Sequence, residues 1–334
     1  MKITAIDVSV VDVPYIAPVR EVGWNNPHFV VVQVRADDGQ VGLGEVWGAA
    51  KSDVAQTAET LLGANPLTMP LQTLTSPFQA ALYDLAGQAL GVPVWRLIGD
   101  QQREQVPVAY WSCHMPPEAT AKEAEQAVAK GFRVHKLKAR SADIVRQVEL
   151  ITKAAGPDYA ILADPNTEFR HVATAVGLAH QLEPYNVECF EDPVLKHDLG
   201  WYRLLRQKLD IPQALHLSNP SDVLLAVRAE AVDRLNLGGN VASILASHAI
   251  AEAAQIPVWH QIAGLSLGIQ AAFAVHVGCT LKQATLASDE LPFIHENDLI
   301  GGALPAEEGH FRVPAGPGLG IELDEAALRH YQMD

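Results

Sequence analysis

Along most of the chain, apolar residues come in short runs that end in a polar side chain, and helical apolar spacing fills the stretches between them. The runs are VPVAYWSC, RVHKLKA, ILADPN, VECFEDP, QALHLSN, DRLNLGG, PVWHQ and TLASDE. Their polar tips fall at Lys138, Asp164, Glu191, Asn219, Asn236, His260 and Asp289, so successive tips are 26, 27, 28, 17, 24 and 29 residues apart by subtraction. One strand plus one crossover helix needs about that length, which predicts parallel βα units rather than a solenoid. The clearest unit runs from Ile161 to Val194, where two apolar strands end in Asp164 and Glu191 and HVATAVGLAHQLE connects them. Eight such units close an α/β barrel, and in a barrel the carboxyl ends of the strands share one mouth.

The first hundred residues follow another rule. Residues 2–13 alternate as a strand, and HFVVVQVRADDGQVGLGEVWG reads as a hairpin turning at Asp37-Asp38-Gly39. VPYIAPVREVGWNNP, rich in Pro and Asn, reads as a surface loop. Residues 51–63 and 77–91 carry helical spacing, with Gly91 and Pro93 ending the second. The expected division is an α+β domain over 1–105, completed by the strand-and-turn segment 305–334, and a barrel over 106–304. Without a low-complexity linker, a rigid contact between the two is expected.

With 334 residues and 49% apolar content, the chain can bury a large core and exceeds a bare barrel by roughly a hundred residues. A formal net charge of −15 argues against a nucleic-acid or anionic-membrane partner, since those need a basic face. No apolar run reaches the roughly 18 residues of a membrane span, and Met1 leads directly into a strand-like segment. Cys113, Cys189 and Cys279 are isolated, which suits a reducing compartment; a cytoplasmic location is expected.

The candidate chemistry sits at the tips. Lys136 and Lys138 are two apart on one strand and share a face, where each raises the cost of protonating the other and favours a general base. A solvated strand end is the competing reading. Asp164 and Glu191 offer the hard oxygens that Mg2+ selects, though an acid before a helix also serves as an N-cap.

These motifs together resemble the enolase superfamily, most of all its mandelate racemase and muconate lactonising branch. HKLKA is similar to the family's paired lysines, LADPN to its D-x-N strand and FEDP to its E-x-P strand. SPFQAALYDLAGQALGVPVWRLIGD is similar to the helix before the barrel, and VPAGPGLGIELDE to the closing segment. The resemblance implies a modified TIM barrel, (β/α)7β, with an α+β capping domain, and removal of the proton α to a carboxylate with Mg2+ holding the enolate. It implies Lys138 as base and Lys136 as the group that stabilises the substrate carboxylate and lowers its neighbour's pKa. His260 is expected to be a second base or an acid for a leaving hydroxyl, or else a structural histidine beside Trp259.

Two departures stand out. The third metal ligand is normally an acid at the end of the fifth strand, where HLSNPSD offers Asn219, with Asp222 a little later. The sixth strand has neither the Asp that would orient a seventh-strand His nor the Lys of the muconate-type branch; Asn236 and Asn240 remain. The expected metal set is thus Asp164, Glu191 and Asn219. Substrate contacts are expected from Asn166, Asp289 and a capping loop in which Trp24 shields the site and Asn25 or Asn26 binds hydroxyls. The expected activity is a dehydratase acting on a sugar acid or related hydroxy acid. A racemase or epimerase and a non-catalytic paralogue are the alternatives. The partner is a small-molecule carboxylate, and the family's habit of symmetric assembly leaves a homo-oligomer open.

Overall fold

A computed structural model describes residues 1–24, 28–261, 265–289 and 291–333. The chain begins with an antiparallel sheet of β1 (Ile3–Val11), β2 (Phe29–Ala36) and β3 (Val41–Trp47). A short helix, α1 (Ala17–Glu21), lies in the segment expected to be loop only. On the sheet pack α2 (Lys51–Leu61) and α3 (Phe78–Leu90), followed by α4 (Trp95–Ile98). Val30, Val32 and Val34 alternate onto Val54, Leu61, Phe78 and Leu82, which gives this part its own core. A Cβ on Gly42 or Gly44 would lie 2.1 Å from the Ala81 carbonyl oxygen or 2.0 Å from that of Pro77. Only glycine lets β3 lie so close to α3.

VPVAYWSC divides in two. β4 (Gln105–Pro107) leaves for another sheet, and only β5 (Tyr110–Ser112) enters the barrel. The barrel continues with α5 (Pro117–Ala129), β6 (Val134–Lys138), α6 (Ile144–Ala155), β7 (Ala160–Asp164), α7 (Val172–Leu182) and β8 (Val187–Glu191). Then come α8 (Leu199–Lys208), β9 (Gln213–Leu217), α9 (Pro220–Arg228), β10 (Arg234–Leu237), α10 (Val241–Ala253), β11 (Val258–His260) and α11 (Gly268–Gly278). The seven strands β5 to β11 are parallel in chain order. TLASDE is not a regular strand, yet it closes the ring: the Leu286 amide donates to the Val258 carbonyl, the Ser288 amide to that of Pro107, and the Ala109 amide to that of Ser288. This is a (β/α)7β barrel with an α+β cap.

The last segment returns to both parts. β12 (Ala306–Glu307) and β13 (His310–Arg312) form a hairpin, β13 pairs with β4, and α12 (Glu325–Tyr331) ends where Tyr331 accepts from the Asp12 amide. Asp84 of α3, 3% exposed, accepts from the Leu43 amide at 3.0 Å and the Leu319 amide at 2.8 Å, tying sheet, helix and closing segment together. Among the described residues, no helix is long and apolar enough to cross a membrane.

Candidate active site

Strand parity builds the site. Leu162, Cys189, Ala214 and Trp259 form one buried cluster inside the barrel. Two residues further along three of these strands stand Asp164, Glu191 and His216, which therefore share the inward face one layer nearer the mouth. Lys136 and Lys138 are in register with Leu162 and Asp164 on the neighbouring strand, and Asn236 is in register with His216.

These groups are in contact. The Lys136 ammonium donates to Glu191 Oε2, lies 3.1 Å from Asp289 Oδ2 and 3.3 Å from Asp164 Oδ2, and is buried. Burial opposes its charge, but Asp289, Glu191 and Asp164 outweigh burial and hold this amine well above its usual range. The expected mutual discharge of two neighbouring lysines therefore fails at Lys136, because three carboxylates surround it. Lys138 Nζ donates to Asp164 Oδ2 at 2.5 Å and to Asn166 Oδ1 at 2.8 Å. Its side chain is 19% exposed against 1% for Lys136, so Lys138 is the amine that a ligand can reach.

Burial pushes the Glu191 carboxyl up while Lys136 pulls it down, and the net direction is upward. Burial also raises Asp164, but Lys136 and Lys138 together outweigh it and keep Asp164 below the usual carboxylate range. Asn236 Nδ2 donates to Glu191 Oε1 at 2.9 Å and Gln261 Nε2 to Asp289 Oδ2 at 3.3 Å. Trp24 meets Trp111 of β5 edge-on at 5.2 Å and Tyr15 at 6.0 Å. Asn25 and Asn26 lie outside the described residues.

Two expected site residues are elsewhere. Asn219 is not a strand tip: β9 ends at Leu217, and Asn219 is the exposed N-cap of α9, its Oδ1 accepting from the Ser221 amide at 2.9 Å. Its side-chain oxygen is committed to the helix and does not join Asp164 and Glu191. His260 follows the inward Trp259, so its ring faces outward, where Nε2 lies 2.8 Å from the Ala274 carbonyl oxygen of α11. A Cβ on Gly278 would lie 2.3 Å from that ring. His260 is thus a buried packing histidine, unable to reach the face of the barrel that holds Lys138.

Sequence reading missed His216 and Asp192. Their ligand atoms and one of Glu191 all lie within 4.8 Å of one another. The signal was present, since His216 stands two residues after Ala214 as Glu191 does after Cys189. Burial pushes the His216 imidazole down to about 4, which leaves it neutral with a lone pair available near pH 7. Two buried carboxylates and a neutral imidazole at this separation suit a divalent cation.

A family model described as enolase C-terminal domain-like matches residues 119–327. Chloromuconate cycloisomerase from Pseudomonas putida is 30% identical over 99% of this chain and 99% of its own. The N-succinyl-L-Arg/Lys racemase of Bacillus cereus is 25% identical, over 98% of this chain and 97% of its own. Its crystal structure, aligned at 23% identity, superposes with a TM-score of 0.87, covering 100% of this chain and 99% of that one. D-gluconate dehydratase from Thermoproteus tenax is 27% identical over 91% of this chain and 70% of its own.

Proposed function

From the premise that this chain belongs to the mandelate racemase and muconate lactonising branch of the enolase superfamily and is an enzyme of that type, we propose that it dehydrates a sugar acid or related hydroxy acid. The observation that carries this reading is that Lys138, and not His260, reaches the mouth. Lys138 stands at the mouth, held by Asp164 and Asn166, and among the described residues the seventh strand offers only Trp259 to the interior.

In this mechanism Asp164 and Asn166 aim Lys138 Nζ at the hydrogen on the substrate carbon next to the carboxylate. Lys138 takes that proton, and the electron pair left behind expels the β-hydroxyl, which leaves as water after receiving the proton from the same amine. Lys136 keeps the buried carboxylates in place while remaining protonated. Glu191, with Asp192 and His216 and with Asp164 close beside, would hold a divalent cation, whose positive charge would favour the second negative charge developing on the substrate carboxylate. Trp24 and Trp111 form the apolar edge that excludes water. The cap, taken as residues 1–105 with 305–334, closes the mouth.

Racemisation or epimerisation is the second reading, favoured by the 25% identical racemase. It needs a base on each face of the substrate carbon, and His260 does not supply the second. Following C–H exchange and product formation by NMR in D2O across sugar acids, hydroxy acids and N-acyl amino acids separates the two. Water loss to a 2-keto acid supports dehydration. Inversion at the α-carbon without water loss would overturn it.

A further inference from the structure

The fifth strand of this barrel presents an imidazole where the resemblance leads one to expect an acid, and the surrounding residues are arranged around that ring. His216 is inward on β9 beside the strand end that carries Glu191 and Asp192. Gly238, just past β10, makes room for it: an added Cβ would lie 2.8 Å from His216 Nε2 and 2.4 Å from Ser218 Oγ. Asp192 is positioned by the His216 amide, which donates to its Oδ1 at 3.1 Å, and by Lys196 Nζ at 3.0 Å from its Oδ2. Each carboxylate oxygen keeps a second lone pair for another partner.

An independent feature points to the same spot. Asn236, in register with His216 and fully buried, donates its amide to Glu191 Oε1, while its Oδ1 meets no donor among the described residues. A buried carbonyl oxygen without a donor is costly unless a cation or an ordered donor faces it. A cavity of about 560 Å3, lined by Lys196, His216, Ser218 and Asp222 among others, opens onto the ring and gives an ion a way in.

We propose that Glu191, Asp192 and His216 form a site selective for a divalent transition ion such as Mn2+, Co2+ or Zn2+ over Mg2+, with His216 as the ligand that sets the preference. Imidazole nitrogen suits these ions, whereas Mg2+ takes oxygen donors and sheds its water reluctantly. The inference rests on the cation-assisted reading above and goes beyond it by naming the ion class and the residue responsible.

The test uses the full chain stripped with a chelator. Calorimetric titration with Mg2+, Mn2+, Co2+ and Zn2+ is paired with pulsed EPR of the Mn2+ form, which detects a directly bound nitrogen. The expected result is tighter binding of Co2+ and Zn2+ than of Mg2+ and a nitrogen coupling in the wild type. His216→Ala should lose that coupling and weaken Co2+ binding at least about tenfold, the loss that removing even an outer partner of a ligand brings. His216→Asp, a second variant in case the alanine misfolds, should move the preference toward Mg2+. Binding without nitrogen coupling, or with unchanged selectivity in His216→Asp, overturns this inference and leaves the enolising reading standing. No binding by any divalent ion, with or without a hydroxy acid present, overturns both.

Discussion

The two walls of the barrel were read from equally short strings of sequence, yet they differ in how closely the string follows the structure. On the wall of β6, β7 and β8, Lys136, Lys138, Asp164 and Glu191 all face the interior, with Lys136 paired to Asp164 and Glu191 and Lys138 to Asp164. On the wall of β9, β10 and β11, two of the polar tips turn elsewhere: Asn219 to a helix start and His260 to a helix behind the strand. Being at the end of a strand is not enough. The residue must also have the parity of the inward layer, and one position of slip exchanges the barrel interior for the helix layer.

Substitutions can break this comparison, starting with the largest effect. Lys138→Ala should slow α-proton exchange in D2O by roughly 10^2- to 10^4-fold, the usual share of a general base, with circular dichroism unchanged. An exchange rate equal to that of the wild type would falsify the base assignment.

A smaller effect concerns how the second wall is anchored. Glu45 of β3, fully buried, accepts from the Leu267 amide at the start of α11, while its Oε2 has no donor among the described residues. Burial pushes its pKa up to about 8, against roughly 4.3 in an unfolded chain. The folded state thus holds a proton that the unfolded state releases. The associated stability is fully present below about pH 4.3 and is lost as pH rises through about 8. Thermal midpoints measured from pH 5 to 9 should fall more steeply for the wild type than for Glu45→Gln; parallel curves would show that Glu45 does not titrate there.

Asn219→Ala should cost about 1 kcal/mol in chemical denaturation, the worth of an N-cap, and leave divalent-ion affinity as it was. A loss of metal binding in that variant would return Asn219 to the ligand set. The smallest kinetic effect is expected from His260→Gln, which lowers stability but should leave α-proton exchange unchanged because the ring serves α11. A clear drop in exchange would show that the second wall contributes a base after all.

The fold was largely legible because its signal is repetitive. Each strand-helix unit repeats the same alternation, and the glycine stop after α3 is local chemistry that survives without a partner. What escaped was non-local. VPVAYWSC reads as one strand, but its first half is drawn off by β13, a partner some two hundred residues away in sequence. TLASDE closes the barrel through three backbone hydrogen bonds without a strand's regular pairing, so alternation alone could locate it but not describe it. At the site, Asp164, Glu191 and the two lysines announce themselves by charge. His216 does not, because HLSN places a more exposed polar residue after it, and only the count from Ala214 separates the inward residue from the cap.

The pairing of β4 with β13, together with the Leu319 amide that completes the donors of Asp84, bears on the order of events during synthesis. The sheet and helices of the cap leave the ribosome before the barrel, yet β4 lacks its strand partner and Asp84 one of its donor amides until the closing segment emerges. Long-range closure of this kind is slow relative to local helix formation. Pulse-labelled hydrogen exchange during refolding should find the amides of residues 105–107 protected after those of β6 to β8, and simultaneous protection would contradict this order. A nascent chain halted before residue 310 would therefore hold a barrel under an unfinished lid, exposed to proteases at the end that was made first.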